Sequence, residues 1–470
     1  MRGRIAIFPS SLRPTTNSMG QWMGGGNLLA ILNGAIPLPL DQWSSATCGS
    51  SPCWSTSAHG VNLSNYGAGD CMDVGNGLDP VTKPLCKQAN VVFFNNLPLT
   101  PVTRSVGSSP YIPTTAVGAS EFFLDYTHDT IWIGANPNSS GSNVIEVSAT
   151  TTAFHSATAT GVKIHGLQIE KYASKAQCGA VGGCDISDSF VPDGWIIEYN
   201  VIRLNHGLAV KVGAGGLVQY NKITANGQMG INTAGGDDVV VDHNEVSANN
   251  WAGYSLGWES GGMKLTQHDG LTVSYNYVHD NIGAGIWTDI NNINVEISFA
   301  CEIHDNIVRR NAYKALQTTT GSTWPWGAQI QLQNGSDCLV YLNTVVVADT
   351  PDVSPRGGHG IVVYHQNRAR PQDPTPRPGM VFEGKRNTVY SNTIIYLGSY
   401  GTSGVVTDFD PDPFPNDFWT THGNTFDDNS YYVPDTTSST RFAWRNGWGN
   451  FAWFQAVPNS QEVGGTQTVY

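Results

Sequence analysis

Charge is what this 470-residue chain has least of. Asp, Glu, Lys and Arg together make up 13% of it, and Lys plus Arg number 24 against 37 Asp plus Glu, a formal balance of -13. A nucleic-acid partner needs clustered cations to neutralise phosphates, so that class is set aside. An acidic polysaccharide is not set aside with it, because a local basic groove fits on an acidic protein. Long apolar runs are missing too. The best candidate, residues 27–40, contains Asn33 and two prolines and is too short to span a membrane. At the start, Met1-Arg2-Gly3-Arg4 is basic, but Ile5-Ala6-Ile7-Phe8 is too short for the apolar core of a signal peptide and a proline follows. There is no leucine skeleton, which excludes a leucine-rich repeat, and no zinc-type spacing of ligands.

What is present is glycine, 53 residues of it, and eight cysteines in close pairs: Cys48 with Cys53, Cys71 with Cys86, Cys178 with Cys184, and Cys301 with Cys338. An even count at such spacings points to disulfides and an oxidising compartment, hence to a secreted protein, although eight cysteines allow about 105 connectivities. Buried free thiols in a cytosolic protein are the other reading. Scarce charge with abundant glycine describes a turn-rich β protein.

One short phrase organises the middle of the chain: Asn200 to Asn205, Asn221 to Asn226, Asn244 to Asn249, Asn276 to Asn281, Asn306 to Asn311. The first asparagines fall 21, 23, 32 and 30 residues apart. A fixed period of this length is the mark of a solenoid. Around each phrase lie short alternating runs such as Val239-Val240-Val241 and Leu271-Thr272-Val273, which read as strands. The shortest coils are too brief for a βαβ unit of about 30 residues, so each strand stacks on its own copies. The fold class expected is all-β, a right-handed parallel β-helix, with asparagines laddered at its turns through their tolerance of αL and their side-chain bonds to backbone.

The expected organisation is a β-rich, disulfide-containing module over residues 1–150, the β-helix over 151–400 and a packing or capping tail over 401–470, with Trp444, Trp448 and Trp453. Excursions at Thr318 to Gly327, with Trp324 and Trp326, and at Asp349 to Asn387 interrupt later coils. Such loops are where binding residues gather.

The small residue nine positions after each asparagine sets a register: Ile231, Tyr254, Ile286 and Leu316 inward, and Asn232, Ser255, Trp287 and Gln317 outward, with Asp289 sharing an exposed face with Trp287. An insertion, Gly257 to Leu265, precedes this coil. If Met263 and Leu265 face inward, Lys264 faces out beside Trp258 and Glu259. Indole faces stack on sugars, and carboxylates with a lysine supply proton transfer. Glu259, Lys264, Asp289 and Glu296 are therefore the catalytic candidates, and Trp258, Trp287, Trp324, Trp326 and Arg309 the substrate-binding ones. Glu302, His304, Arg310, His359 and His365 are weaker. A covered tryptophan and a plain Glu259–Lys264 ion pair are the bland alternative. Asp408, Asp410 and Asp412 offer oxygen ligands suited to calcium, or form a solvated acidic turn.

The phrases Gly257-Trp258-Glu259-Ser260-Gly261-Gly262-Met263-Lys264, Gly285-Ile286-Trp287-Thr288-Asp289-Ile290 and Arg441-Phe442-Ala443-Trp444 resemble those of bacterial right-handed parallel β-helix repeat proteins of the pectate-lyase-like superfamily. The resemblance runs from about Phe122 to the C-terminus. It implies extracellular action on polysaccharides by lyases, hydrolases or epimerases, with adhesion and phage tail-spike members. The chain departs from that pattern after Asn294, where Val295-Glu296-Ile297-Ser298 follows directly, as if one coil and a histidine were missing. Pectate lyase signatures are also missing. The expected function is cleavage of a polysaccharide by a hydrolase or lyase, with a non-catalytic carbohydrate-binding or adhesion protein, or a phage tail-spike-like β-helix protein, as the alternative.

Overall fold

The structure, a computed structural model, describes residues 15–16, 22–24, 27–63, 71, 85–156, 158–183, 192–289, 300–312, 327–349, 358–365, 384–407, 422–438, 440–445 and 447–470. Short strands follow one another around a right-handed parallel β-helix, and among the described residues they build three long sheets of nine, eleven and ten strands. Every coil adds one strand to each sheet in exact register, as where Val241 pairs with Val273, Val246 with Val278, and Ile231 with Met263. The inward rows are Val and Ile, fully buried, because branched side chains fit a pleated surface packed on copies of itself. Each such side chain stabilises the fold by about 1.5–3 kcal/mol relative to exposure.

The asparagines form two long ladders, and Asn387 on Asn424 makes a short third one. The first begins at Asn200, and from Asn221 through Asn244, Asn276, Asn306, Asn343 and Asn392 to Asn429 each side-chain oxygen accepts from the backbone N–H and the amide of the asparagine one coil earlier. The second runs from Asn205 through Asn226, Asn249 and Asn281 to Asn311 and ends on the Gln329 carboxamide, since the next coil has Ala348 where an asparagine would stand. One detail departs from expectation. The left-handed residue is the one before the asparagine: Tyr199, Tyr220, His243 and Tyr275 take φ of 57°, 54°, 53° and 53°. The asparagine is needed for its two-ended amide, and the strain falls on a neighbour whose side chain lies outside the core.

The first ladder finishes on a carboxylate. Glu462, fully buried, accepts from the Asn429 N–H at 3.1 Å, the Asn429 amide at 2.7 Å and the Tyr431 hydroxyl at 2.7 Å. Burial pushes its pKa up to about 7 against these hydrogen bonds, with Asp427 adding repulsion. A carboxyl that holds its proton more tightly folded than unfolded, about 7 against 4.5, contributes stability that is full below pH 4.5 and is lost as pH rises through 7. Melting followed across that interval is expected to show this decline, and Glu462→Gln to remove it; an unchanged slope in the variant would assign the decline to other groups.

The helix does not stop near residue 400. Thr425–Asp427, Ser430–Val433 and Thr466–Val469 continue two of the sheets in parallel register, and Phe442–Trp444 continues the third. Phe454, on the short helix Phe451–Gln455, stacks on Phe442 and closes the core. Trp444 joins that core and Trp448 stays exposed. Arg441, in the Arg-Phe-Ala-Trp phrase, is buried over the Tyr396 ring and donates to the carbonyls of Gly398, Tyr400 and Gly401, so this phrase closes a turn. At the other end the N-terminal module has its own antiparallel sheets and core, yet lends Ala30–Asn33 as a parallel strand to the first coil.

Three of the expected cysteine pairs are disulfides: Cys48–Cys53, Cys71–Cys86 and Cys301–Cys338. Cys178 is disulfide-bonded as well, and Cys184 lies outside the described residues.

Candidate functional site

The turns between the nine- and eleven-stranded sheets are uniformly tight. The long connections all join at the ends of ten-stranded-sheet strands: residues 184–191, 290–299, 366–383 and 408–421 follow such strands, and 250–260, 313–326 and 350–357 precede them. In repeat proteins the face that collects insertions is often the binding face.

Its outward row, read through the register, is Lys211, Asn232, Lys264, Trp287, Gln331 and Val362; the next row includes Thr266, Asp289, Gln333 and Tyr364. Lys264 sits on Gly261–Asp269 and Asp289 ends Ala284–Asp289, the strand alongside. Lys264 Nζ lies 3.2 Å from Asp289 Oδ2, 3.4 Å from Glu259 Oε1 and 3.2 Å from the Trp258 carbonyl, which it donates to, and 4.1 Å over the Trp287 ring. Asn232 donates to the Lys264 carbonyl at 3.2 Å. One ammonium against two carboxylates and an indole face makes a compact site with surplus negative charge.

The strands can approach this closely because of small residues. A Cβ on Gly262 would stand 2.4 Å from the Gly285 carbonyl and 2.9 Å from Val278 Cγ1, and one on Gly285 would stand 2.5 Å from the Gln329 carbonyl. This corrects the register at one coil. Gly262-Met263, not Gly253-Tyr254, matches Gly230-Ile231, and Tyr254 and Ser255 lie in the insertion that precedes the strand. Leu316 and Gln317 are outside the described residues, and their register positions are held by Ile330 and Gln331. A second correction concerns exposure. Lys264 is 5% exposed, Asp289 2% and Trp287 fully buried, so the row faces away from the solenoid core without meeting solvent.

Trp258 turns its ring toward Tyr254, 6.0 Å away and nearly parallel, within a cluster that includes Cys71, Cys86 and Ala176. The N-terminal disulfide segment thus packs beside the insertion, bridged by backbone pairing of Cys71 with Tyr254. Arg309 is not brought here: it lies on the eleven-stranded sheet, in register with His279 and Val346. There Lys222, Glu245, His279, Asp280 and Arg310 make a separate ionic chain; burial would raise the Glu245 carboxyl, but His279 and Lys222 hold it down at about 2. Glu302 and His304 belong to the nine-stranded sheet. His359 and His365 stand on the site's own sheet, farther along, where their rings accept from the N–H groups of Thr402 and Gly384. Glu296, Trp324, Trp326, Asp408, Asp410 and Asp412 fall outside the described residues. Among the described residues no cluster suited to a metal ion occurs.

Lys211, Gln331, Gln333 and Tyr364 were not singled out from the sequence. Their signal is a polar residue centred between inward apolar ones, as in Val210-Lys211-Val212 and Ile330-Gln331-Leu332, and it becomes readable once strand register is known.

A family described as right handed beta helix region matches residues 182–372. No curated protein matches the sequence. Among solved structures, the chain is similar to XylC, solved in complex with xylose, with a TM-score of 0.55 and 14% identity over 87% of this chain and 73% of that one. It is also similar to DFA-IIIase from Arthrobacter chlorophenolicus A6 without its lid, at 0.28 and 13% over 68% of this chain and 71% of that one. The tailspike gp61 of Pseudomonas phage phi297 follows at 0.29 and 11%, over 90% of this chain and 57% of that one. The likeness to XylC is one of fold. No helix among the described residues is long and apolar enough to cross a membrane.

Proposed function

We propose that this protein is an exported carbohydrate-active enzyme that hydrolyses a polysaccharide reaching the ten-stranded sheet where the part-exposed Glu259 opens onto the covered Lys264–Asp289 row. The observation that carries the reading is the Glu259–Lys264–Asp289 cluster over Trp287. Disulfides support export.

Both carboxylates touch one ammonium, so their near oxygens are no farther apart than those two contacts laid end to end. That bound is compatible with the closer spacing of about 5–5.5 Å used with a covalent intermediate, and the pair is taken in that role. Asp289, fixed at a strand end and nearly inaccessible, takes the nucleophile's place. Glu259, on the insertion and with its side chain 18% exposed, is the second carboxyl group of the pair. The lyase alternative would draw on Lys264, whose Nζ is already in contact with two carboxylates and the Trp258 carbonyl.

A non-catalytic binding or adhesion protein is the second reading, in which the Glu259–Lys264–Asp289 contacts are plain ion pairs. Incubation with neutral and uronate polysaccharides, with and without calcium, separates the readings. New reducing ends without the ultraviolet absorbance of an unsaturated sugar are expected. Absorbance rising alongside them would replace hydrolysis by elimination, and retained binding with neither signal would favour the second reading. Glu259→Gln and Asp289→Asn are each expected to lower turnover by roughly 10²–10⁴-fold.

A further inference from the structure

We infer that Gln228 is a positioning residue for Glu259, an inference that rests on the carboxylate-pair reading above. Gln228 immediately precedes the Met229–Asp237 strand and is fully buried. Its Oε1 accepts from the Gln177 backbone N–H at 2.7 Å, and its Nε2 donates to the Glu259 carbonyl at 2.7 Å. Its own carbonyl accepts from the Gly261 N–H at 3.2 Å, just past Glu259. One residue therefore grips the insertion on both sides of Ser260 and ties it to a coil that the insertion does not belong to.

The grip is stiff. Gly227, the residue before, lies so close to the coil below that a Cβ there would stand 2.0 Å from the His206 carbonyl, which leaves the main chain at Gln228 little room to turn. Glu259 itself sits on the insertion, outside the sheet strands, with its carboxylate 3.4 Å from Lys264. A contact of that length is lost with a shift of a fraction of an ångström, and a misplacement of about 1 Å is enough to cost roughly 100-fold in rate. The carboxamide is the side chain this bridge needs, because it accepts at one end and donates at the other.

Gln228→Glu keeps an acceptor for Gln177 and removes the donor to Glu259; Gln228→Met removes both and keeps the volume. Steady-state kinetics on the polysaccharide that the wild-type enzyme cleaves are expected to show kcat lowered roughly 10- to 100-fold in both variants, at unchanged KM. In a Glu259→Gln background neither variant is expected to lower the residual rate further. If Gln228→Glu fails to fold, Gln228→Met carries the same comparison. An equal fall in the presence and absence of Glu259, or a fall in KM alone, overturns the inference and leaves the carboxylate pair standing. Full activity of Glu259→Gln by itself removes Glu259 from the reaction, and the inference with it.

Discussion

Lys264→Met is expected to destabilise the protein by about 3–5 kcal/mol, because it leaves two carboxylates facing one another with their shared counter-ion gone. The side chains of Lys264 and Asp289 are only 7% and 3% exposed, so solvent screens little of this loss. Turnover is expected to fall with it, since both proposed catalytic carboxylates lose the contact that sets their spacing. The pattern of rescue makes the prediction specific. Adding Asp289→Asn to Lys264→Met removes one of the opposed charges and is expected to recover part of the stability and none of the activity. Denaturant unfolding reads the first and reducing-end release the second. A Lys264→Met protein that unfolds like wild type would mean that the ion cluster does not bear on the fold.

Asn276→Ala is expected to cost about as much without touching the site. Asn276 Oδ1 accepts from the Asn244 N–H and amide, and its Nδ2 donates to the carbonyls of Val241 and Ser274 and to Asn306 Oδ1, all at 2.8–3.0 Å. Truncation leaves at least two buried polar groups without partners, at about 1–3 kcal/mol each, for a total of about 2–6 kcal/mol. Thr272→Ala, on the outward side of a strand in the same coil, is the control and is expected within about 0.5 kcal/mol of wild type. Similar unfolding curves for the two variants would show that the ladder is dispensable.

Much of this architecture is legible in the sequence because an amide that must bond above and below itself tolerates no substitute, and so repeats visibly. The αL residue is harder to read. Any of Tyr, His, Leu or Asp occupies it, since its side chain lies outside the core. Register fails at one coil for a related reason. Counting nine residues from Asn244 reaches Gly253, yet the position needing a missing Cβ is the one packed against Val278 and the Gly285 carbonyl, and Gly262 fills it. An insertion placed before a strand shifts the count without disturbing the packing.

The site was half legible. Alternation correctly turns Lys264, Trp287 and Asp289 away from the core, but outward on a solenoid does not mean exposed: alternation along one strand carries no information about what packs over the face. Arg309, a binding candidate by residue type, stands on another sheet, because sequence proximity around a coil says nothing about which of three faces a residue occupies. Gln228 gave no sign at all, since its role depends on a contact between coils.

The most direct measurement compares wild type with Asp289→Asn for reducing-end release from the polysaccharide panel, with thermal melting recorded on the same samples. Hydrolysis by wild type, with turnover in the variant lowered at least about 100-fold while melting shows a cooperatively folded protein, is the predicted result. Wild-type turnover in the folded Asp289→Asn variant would contradict the assignment of the reaction to this face of the helix.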